Sequence, residues 1–586
     1  MKNRNQIEEK YKWDLSSYIE SEEEIEKILK KLEKMPEKYL KYKGNLGNRD
    51  IFIDYIKNSN QDYQLLSKLT VYLACSLDVN CSDVKMLKYA QRFDTLAQKF
   101  NEATAFITPQ MYELDDEYLK SLLTEKKLKN CDNMIKDILR KKPHRLDEKT
   151  SELLSKMGTF LSPGSSTHAS ILNELKFESI RDKKGKIIKL DNSNLHKYIE
   201  GKDRELRKAA YFSRQNAYKD FNKTFAQIYT NDVQESKFNT RLARHSSVLE
   251  WELFDSEIPQ AVFDNNIKMV NKYLPLLHEY VRLAKVESGL KDFAYFDLLL
   301  DKSVSKRISV EEAQQTILKA LKPLGEEYLS RVKNKLSDRS IDYMPNKDKR
   351  TGGYCSNCYD NKTIILMNFT NDYDSMTTLI HEMGHCINAE YFNEAQPYEK
   401  AEITIFAAEI ASTVNEILLN LYMQKQAKTR KEKLQYVWQL LDTIKGTIYR
   451  QTQFSEFELF VHERIESDEP ITFEDLNNKY LELTKKYYGK YVKIPDVEKY
   501  EWSRVPHFYS PFYVFTYSTG MITAITIATR LLEDETFKDK YIKFLSNGTN
   551  KPAVDALKEI DIDLTQEKPF VDAFNFIREQ INELKA

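Results

Sequence analysis

The segment NDYDSMTTLIHEMGHCINAEYF carries His381, Glu382 and His385 in an H-E-x-x-H arrangement. In that pattern the imidazoles hold a metal ion and the carboxylate between them handles a proton. Residues four apart on a helix differ by about 40° around its axis, so His381 and His385 would sit one turn apart and aim at one point. Glu382 lies to one side of the pair, too far round to join the same tetrahedron easily, yet near enough to reach a water on the metal. A solvated helix face bearing two histidines is the plainer alternative. Against it, Met376, Leu379, Ile380, Met383 and Ile387 form an apolar stripe at helical spacing on the opposite face, and Asp374 or Ser375 is placed to cap the helix.

A catalytic zinc takes a third protein ligand and keeps one position open for water. The run AEITIFAAEIASTVNEILLNLYM offers Glu402, Glu409 and Glu416 at seven-residue spacing on roughly one helical face. Spacing alone does not choose among them. Further on, WSRVPHFYSPFYVFTYSTG crowds together His507, Tyr509, Tyr513 and Tyr517. They could be an aromatic patch packed in a core, or hydrogen-bond donors for the oxyanion of a tetrahedral intermediate, or both. Cys355 and Cys358 form a C-x-x-C, but no second such pair follows and the segment has no βαβ context, so plain thiols are expected rather than a metal or redox site.

The elements that must position these groups read mostly as helix. EEEIEKILKKLEKM, DYQLLSKLTVYLACSLDV and MLKYAQRFDTLAQKFNEATAFI have apolar residues at three- and four-residue spacing, so residues 1 to about 170 read as helix after helix. LKFESIRDKKGKIIKL suits a hairpin around KKG, after which helices resume to about 335. Between 341 and 370 the period changes: IDYMP, GGYCSNCY and KTIILMNFT predict a small sheet just before the H-E-x-x-H helix. The strand KTIILMNFT could be an edge to which an extended peptide adds, and Gly352 and Gly353 could admit its backbone or simply form a turn. Gly384 inside the metal helix should cost about 1 kcal/mol relative to Ala, so a close neighbour or the site itself must need the space. A division near the hairpin gives an N-terminal helical lobe, residues 1–190, and a catalytic domain, residues 191–586.

Composition bounds the rest. Only 15 Gly and 15 Pro in 586 residues leave long stretches between turns, which favours a mainly α fold. The 89 basic and 90 acidic residues cancel without a basic face, which argues against a nucleic-acid partner. No apolar h-region opens the chain and no run approaches the roughly 20 apolar residues that span a bilayer, so a cytoplasmic chain without a membrane partner is expected. Six cysteines are too few for a disulfide framework. Oligomeric state is left open.

Taken together, WDL at Trp13 to Leu15, the HEMGH helix, FAAEIAST and PHFYSPFYVFTYSTG resemble the oligoendopeptidase F family of thimet-oligopeptidase-like zinc metallopeptidases, over nearly the whole chain and most closely from about 350 to 520. The resemblance implies that the Glu of an E-x-x-S/T element is the third ligand, which here selects Glu409 over Glu402 and Glu416. It also maps substrate-binding residues onto His507 and Tyr513, with Tyr517 as a further candidate. The implied fold is mainly α, with two lobes flanking a deep channel and a small sheet beside the metal helix. The expected activity is zinc-dependent endopeptidase cleavage of short unstructured peptides, with one Zn²⁺ per chain held by His381, His385 and Glu409. Glu382 would take a proton from a water on the zinc and pass it to the leaving amine, while His507 or Tyr513 meets the oxyanion. A zinc carboxypeptidase or dipeptidase, and a catalytically silent peptide-binding protein, are the competing expectations.

Overall fold

A computed structural model describes residues 2–146, 150, 154, 164–302, 304 and 306–585. The chain forms two compact units, each assembled from three separate stretches. One comprises Met1–Arg145, Ser305–Tyr422 and Ile527–Asp561, and the other Leu146–Val304, Met423–Thr526 and Ile562–Ala586. Residue 190, the expected boundary, therefore falls inside the second unit.

The mainly α expectation holds, and the three N-terminal periodic runs lie on the helices Glu22–Tyr39, Arg49–Asp78 and Val84–Thr104. In the first of these, Ile25, Ile28, Leu29, Leu32 and Met35 are all buried at the spacing of one face. Their core continues onto Cys358, Ile364 and Leu366, more than two hundred residues downstream. This is why the N-terminal helices share a unit with the sheet rather than standing as a separate lobe. No described helix is long and apolar enough to cross a membrane.

The hairpin is present as β1 (Ile180–Arg181) and β2 (Ile187–Ile188), paired antiparallel. The small sheet comprises β3 (Ile341–Asp342), β4 (Tyr354–Ser356) and β5 (Ile364–Leu366), in the order β3-β5-β4. β5 pairs parallel with β3 and antiparallel with β4. The strand KTIILMNFT is thus central and not an edge. All three residues of β5 are fully buried, as an apolar run covered on both faces requires. The edges are β3, which is buried, and β4, which is half-buried.

In the second unit, the helices Asn222–Leu242, Arg450–Glu466 and Phe473–Tyr488 pack around Phe225, Tyr229, Phe457, Leu476 and Trp502. The indole N–H of Trp502 donates to Asn477 at 2.8 Å. The turn-rich break expected at 502–512 is present as two stretches of 3-10 helix, Asp496–Arg504 and Pro506–Tyr509.

Candidate active site

The H-E-x-x-H motif lies on the helix Tyr373–Ala395. Its N-cap is Asp372, whose carboxylate accepts the Ser375 N–H at 2.8 Å, two or three residues before the Asp374 or Ser375 cap expected. Met376, Leu379, Ile380, Met383 and Ile387 are fully buried, and each such side chain contributes roughly 1.5–3 kcal/mol to holding the helix in place. The opposite face opens into a cavity of about 400 Å³, lined by His381, Glu382, His385 and Glu409 together with Gly353 and Cys355 from the sheet.

The next helix, Ile405–Gln426, brings the third group. His381 Nε2 and His385 Nε2 are 3.1 Å apart, and Glu409 Oε2 lies 3.4 Å from the first and 3.6 Å from the second. Among the described residues, this is the one group of three or more His, Cys, Asp and Glu side chains whose ligand atoms are close enough to share an ion. Glu402 falls before the helix begins and so cannot share its face. Glu416 lies behind the cluster, where its carboxylate accepts the Nδ1–H of His381. The His385 ring is held by the backbone carbonyl of Ala408, and Ser412 Oγ donates to Glu409 Oε2 at 3.0 Å. Each converging group is thus held by a further bond, which for Glu409 falls on the converging oxygen itself, the arrangement that orients imidazole and carboxylate ligands around a metal.

The residues missed from sequence were Glu416 as a partner of a histidine, Ser412, and the main chain of Cys355. The seven-residue spacing that made Glu416 a rival ligand was the available signal: two turns beyond Glu409, it meets the other ring nitrogen of His381.

Electrostatics follow from this crowding. Burial disfavours charge on His381, but the bond and charge of Glu416 outweigh it and raise its pKa to about 9. Burial and the charge of His381 together lower His385 to about 4. Two imidazole nitrogens this close share one proton, or a cation in its place. Burial raises the Glu382 pKa, opposed by His381 and by the Cys355 N–H that donates to its carboxyl; Glu382 is only 8% exposed.

The helices carrying these groups are in backbone contact. A Cβ on Gly384 would lie 2.6 Å from Ser412 Cα and 2.8 Å from Ala411 O, so the glycine is required for the approach that brings Glu409 to the histidines. Gly353 packs against Thr378 in a similar way, while Gly352 has φ +89° with open space around it and makes the turn into β4.

In the second unit His507 Nδ1 is hydrogen-bonded to the Tyr513 hydroxyl. The Tyr517 ring stands 6.3 Å from His507 and 5.8 Å from Tyr513. Burial, with Arg450 and Arg504, keeps His507 neutral by lowering its pKa, and burial raises that of Tyr513. With Tyr513 bonded in this way to His507 and also interacting with Tyr517, the three side chains present N–H and O–H donors on one patch. Tyr509 belongs instead to an aromatic core, with its ring 4.7 Å from His168 and 5.9 Å from Tyr229. The C-x-x-C sulfurs serve different surroundings: Cys355 meets Cys386 at 2.9 Å and Cys358 joins the N-terminal core. All six cysteines are free thiols.

A mainly helical chain with two histidines and a glutamate converging beside a buried glutamate has the form of a metallopeptidase. The profile of peptidase family M3 matches residues 197–576, and that of oligopeptidase F matches residues 111–177. Oligopeptidase PepF of Bacillus subtilis is 32% identical over 99% of this chain and 88% of its own length. The group B oligopeptidase PepB of Streptococcus agalactiae is also 32% identical, over 100% of this chain and 98% of its own. Among solved structures, a protein of Chlamydophila abortus superposes with a TM-score of 0.93 at 28% identity, covering 100% of this chain and 99% of that one. Oligoendopeptidase F of Enterococcus faecium does so with a TM-score of 0.73 at 30% identity, over 96% and 98%. The chain belongs to peptidase family M3 and, within it, to the oligoendopeptidase F family.

Proposed function

We propose that the chain is a zinc endopeptidase that hydrolyses internal bonds of short, unstructured peptides. The observation that carries this reading is the convergence of His381 Nε2, His385 Nε2 and a Glu409 oxygen within 4.8 Å of one another. Two imidazoles and a carboxylate form the borderline N/O donor set that suits zinc, and three protein ligands leave a fourth position open. The chemistry such an ion supplies is polarisation of the scissile carbonyl and a lowering of the pKa of water to about 7.

This chain's own residues do the rest. Glu416, Ala408 and Ser412 hold the three ligands in orientation, so little reorganisation is needed when a cation binds. Glu382, on the same helix and lining the same cavity, is the general base: it takes a proton from the attacking water and passes it to the leaving amine. Its burial strengthens it as a base, because desolvation destabilises the charged form. His507 and Tyr513, with Tyr517 beside them, are the donors assigned to the oxyanion.

β4 is the strand on which an extended substrate would align. It is the half-buried one of the two sheet edges, and Gly353 and Cys355 line the cavity with the histidines. Main-chain pairing there would position a peptide without reading its side chains, which predicts broad sequence tolerance.

Zinc content by elemental analysis, together with cleavage of an internally quenched peptide blocked at both ends, tests the reading. Stoichiometric zinc, cleavage abolished by chelator, and a Glu382→Gln protein that keeps its metal but loses turnover are expected. Cleavage restricted to peptides with a free terminus would instead favour a carboxypeptidase or dipeptidase. Metal binding without any cleavage would favour a silent binder.

A further inference from the structure

The second unit contains a larger cavity, of about 540 Å³, that belongs to none of the groups described above. This lies within the roughly 300–1,000 Å³ typical of small-ligand sites. Its charged lining is unbalanced: Arg214, Arg450, Arg504 and Lys445 face it, against Glu200 and Glu501.

The three arginines share a single buried carboxylate. Arg450 Nη2 and Arg504 Nε both donate to Glu501 Oε1 at 3.0 Å, and Arg214 Nη2 reaches Oε2 at 3.3 Å. Gln215 Nε2 takes a further position on Oε2 at 3.1 Å. The neighbouring Glu498 relieves the imbalance only in part: its carboxyl feels Arg214 and Arg450 but is bonded to Tyr211 and Gln215, and burial raises its pKa. Lys445 is engaged with Asp442, and Glu200, bonded to His196, also feels the charge of Arg214. Three guanidinium groups hydrogen-bonded to one carboxylate leave the lining with an excess of positive charge, and Arg214 Nε is buried with no hydrogen-bond partner. Uncompensated buried charge is costly, and an incoming anion would relieve it.

The rest of the wall says what kind of anion. Leu172, Phe177, Leu195, Ile199 and Leu298 make it apolar, so the ligand has a hydrophobic body as well as an anionic end. A guanidinium fork matches a carboxylate in a bidentate manner. Pro506 also lines the cavity, and the next residue in the chain is His507. We propose that this cavity binds the free C-terminal carboxylate of a peptide ending in an apolar residue, with Arg214, Arg450 and Arg504 as the recognising cations.

The proposal rests on the peptidase reading for its choice of ligand, but it can be measured without turnover. The first arm titrates the zinc-loaded full-length protein with N-acetylphenylalanine and with its amide by calorimetry. The acid should bind at least about tenfold more tightly, as expected for charge-assisted hydrogen bonds against neutral ones. The second arm compares matched internally quenched peptides ending in leucine acid and leucine amide, where the acid should have the lower KM at similar kcat. In Arg214→Gln, and separately in Arg504→Gln, both acid-to-amide ratios should fall towards one; a ratio needs only that enough protein is folded to be measured. Equal binding of acid and amide to the parent protein would overturn the proposal, whatever the variants do. So would a preference for the acid undiminished in both variants, since the charge would then be met elsewhere, for example at the metal. A protein that cleaves nothing yet keeps an arginine-dependent preference for the acid would overturn the catalytic reading and leave this site standing.

Discussion

Glu416 accepts the Nδ1–H of His381 from the helix that also presents Glu409, so a single helix grips both sides of the candidate metal centre. The bond turns His381 Nε2 towards His385 and Glu409 and makes the ring a stronger donor. Glu416→Gln keeps an acceptor but removes the charge, and Glu416→Ala removes both. Zinc affinity, read by competition with a chromophoric chelator, should fall by about 10- to 100-fold, with Ala the worse of the two. An unchanged affinity would mean that Glu416 does not orient the ring.

Gly384 sets the distance between the two helices. A methyl group there would sit within 3 Å of Ser412 Cα, Ala411 O and Ser412 N, all of them backbone atoms that cannot swing aside. Gly384→Ala gains about 1 kcal/mol in helix propensity. Overpacking of a close contact typically costs 1–3 kcal/mol, so a net loss of stability of up to about 2 kcal/mol is expected. The more specific expectation is functional: moving the helices apart draws Glu409 from the histidines, so zinc should dissociate faster. A protein as stable and as zinc-retentive as the parent would show that the helices can shift without disturbing the cluster.

His507 and Tyr513 are assigned to the transition state rather than to the metal. Losing one oxyanion donor typically lowers kcat by about 10²–10³-fold. Tyr513→Phe should therefore reduce kcat in that range with little change in KM and none in zinc content. His507→Ala removes the partner of Tyr513 as well and should be at least as damaging. A loss expressed only in KM would make these residues ground-state contacts.

The order of elements was legible because their periods are clean. Ile25, Ile28, Leu29 and Leu32 announce a helix, and the change of period at Ile341 announces a sheet. The convergence of the two histidines was readable because four residues make nearly one turn. What local pattern could not supply was partnership at long range. Nothing near Ile364 says that β5 lies between two other strands, so local pattern leaves an edge position open for a strand that is central and covered. Nothing near residue 190 says that residues 1–145 share a unit with the metal helix. Glu402, Glu409 and Glu416 were equivalent by spacing. Only the start of the helix at Ile405 and the position of His381 across the contact separate them into a bystander, a candidate ligand and a positioning group.

Glu458 supports the segment that carries Tyr513 and has a pH signature of its own. Its carboxyl accepts the N–H of Phe512 at 2.9 Å, while Phe512 adopts φ +52°, a left-handed conformation that is unfavourable for a bulky residue. Packing of the Phe512 ring against His462 and Phe263 holds that conformation. Burial, reinforced by nearby Glu252 and only partly offset by the Phe512 N–H, raises the Glu458 pKa well above the usual 4.5. An acid whose pKa is raised on folding binds its proton more tightly in the folded state, so below about pH 4.5 it has no effect on the pH dependence of stability. As the pH rises further the unfolded chain ionises while the folded one does not, and the folded state loses ground by at most about 1.4 kcal/mol per pH unit until the folded pKa is reached. Glu458→Gln keeps a carbonyl for the Phe512 N–H and cannot ionise. Its stability relative to the parent, from urea unfolding at about pH 5, 6 and 7, should therefore increase steadily with pH, other titrating groups cancelling in the difference. A difference that stays flat over that range would mean that Glu458 is ionised in the folded protein, and that the Phe512 turn is held by a charged acceptor instead.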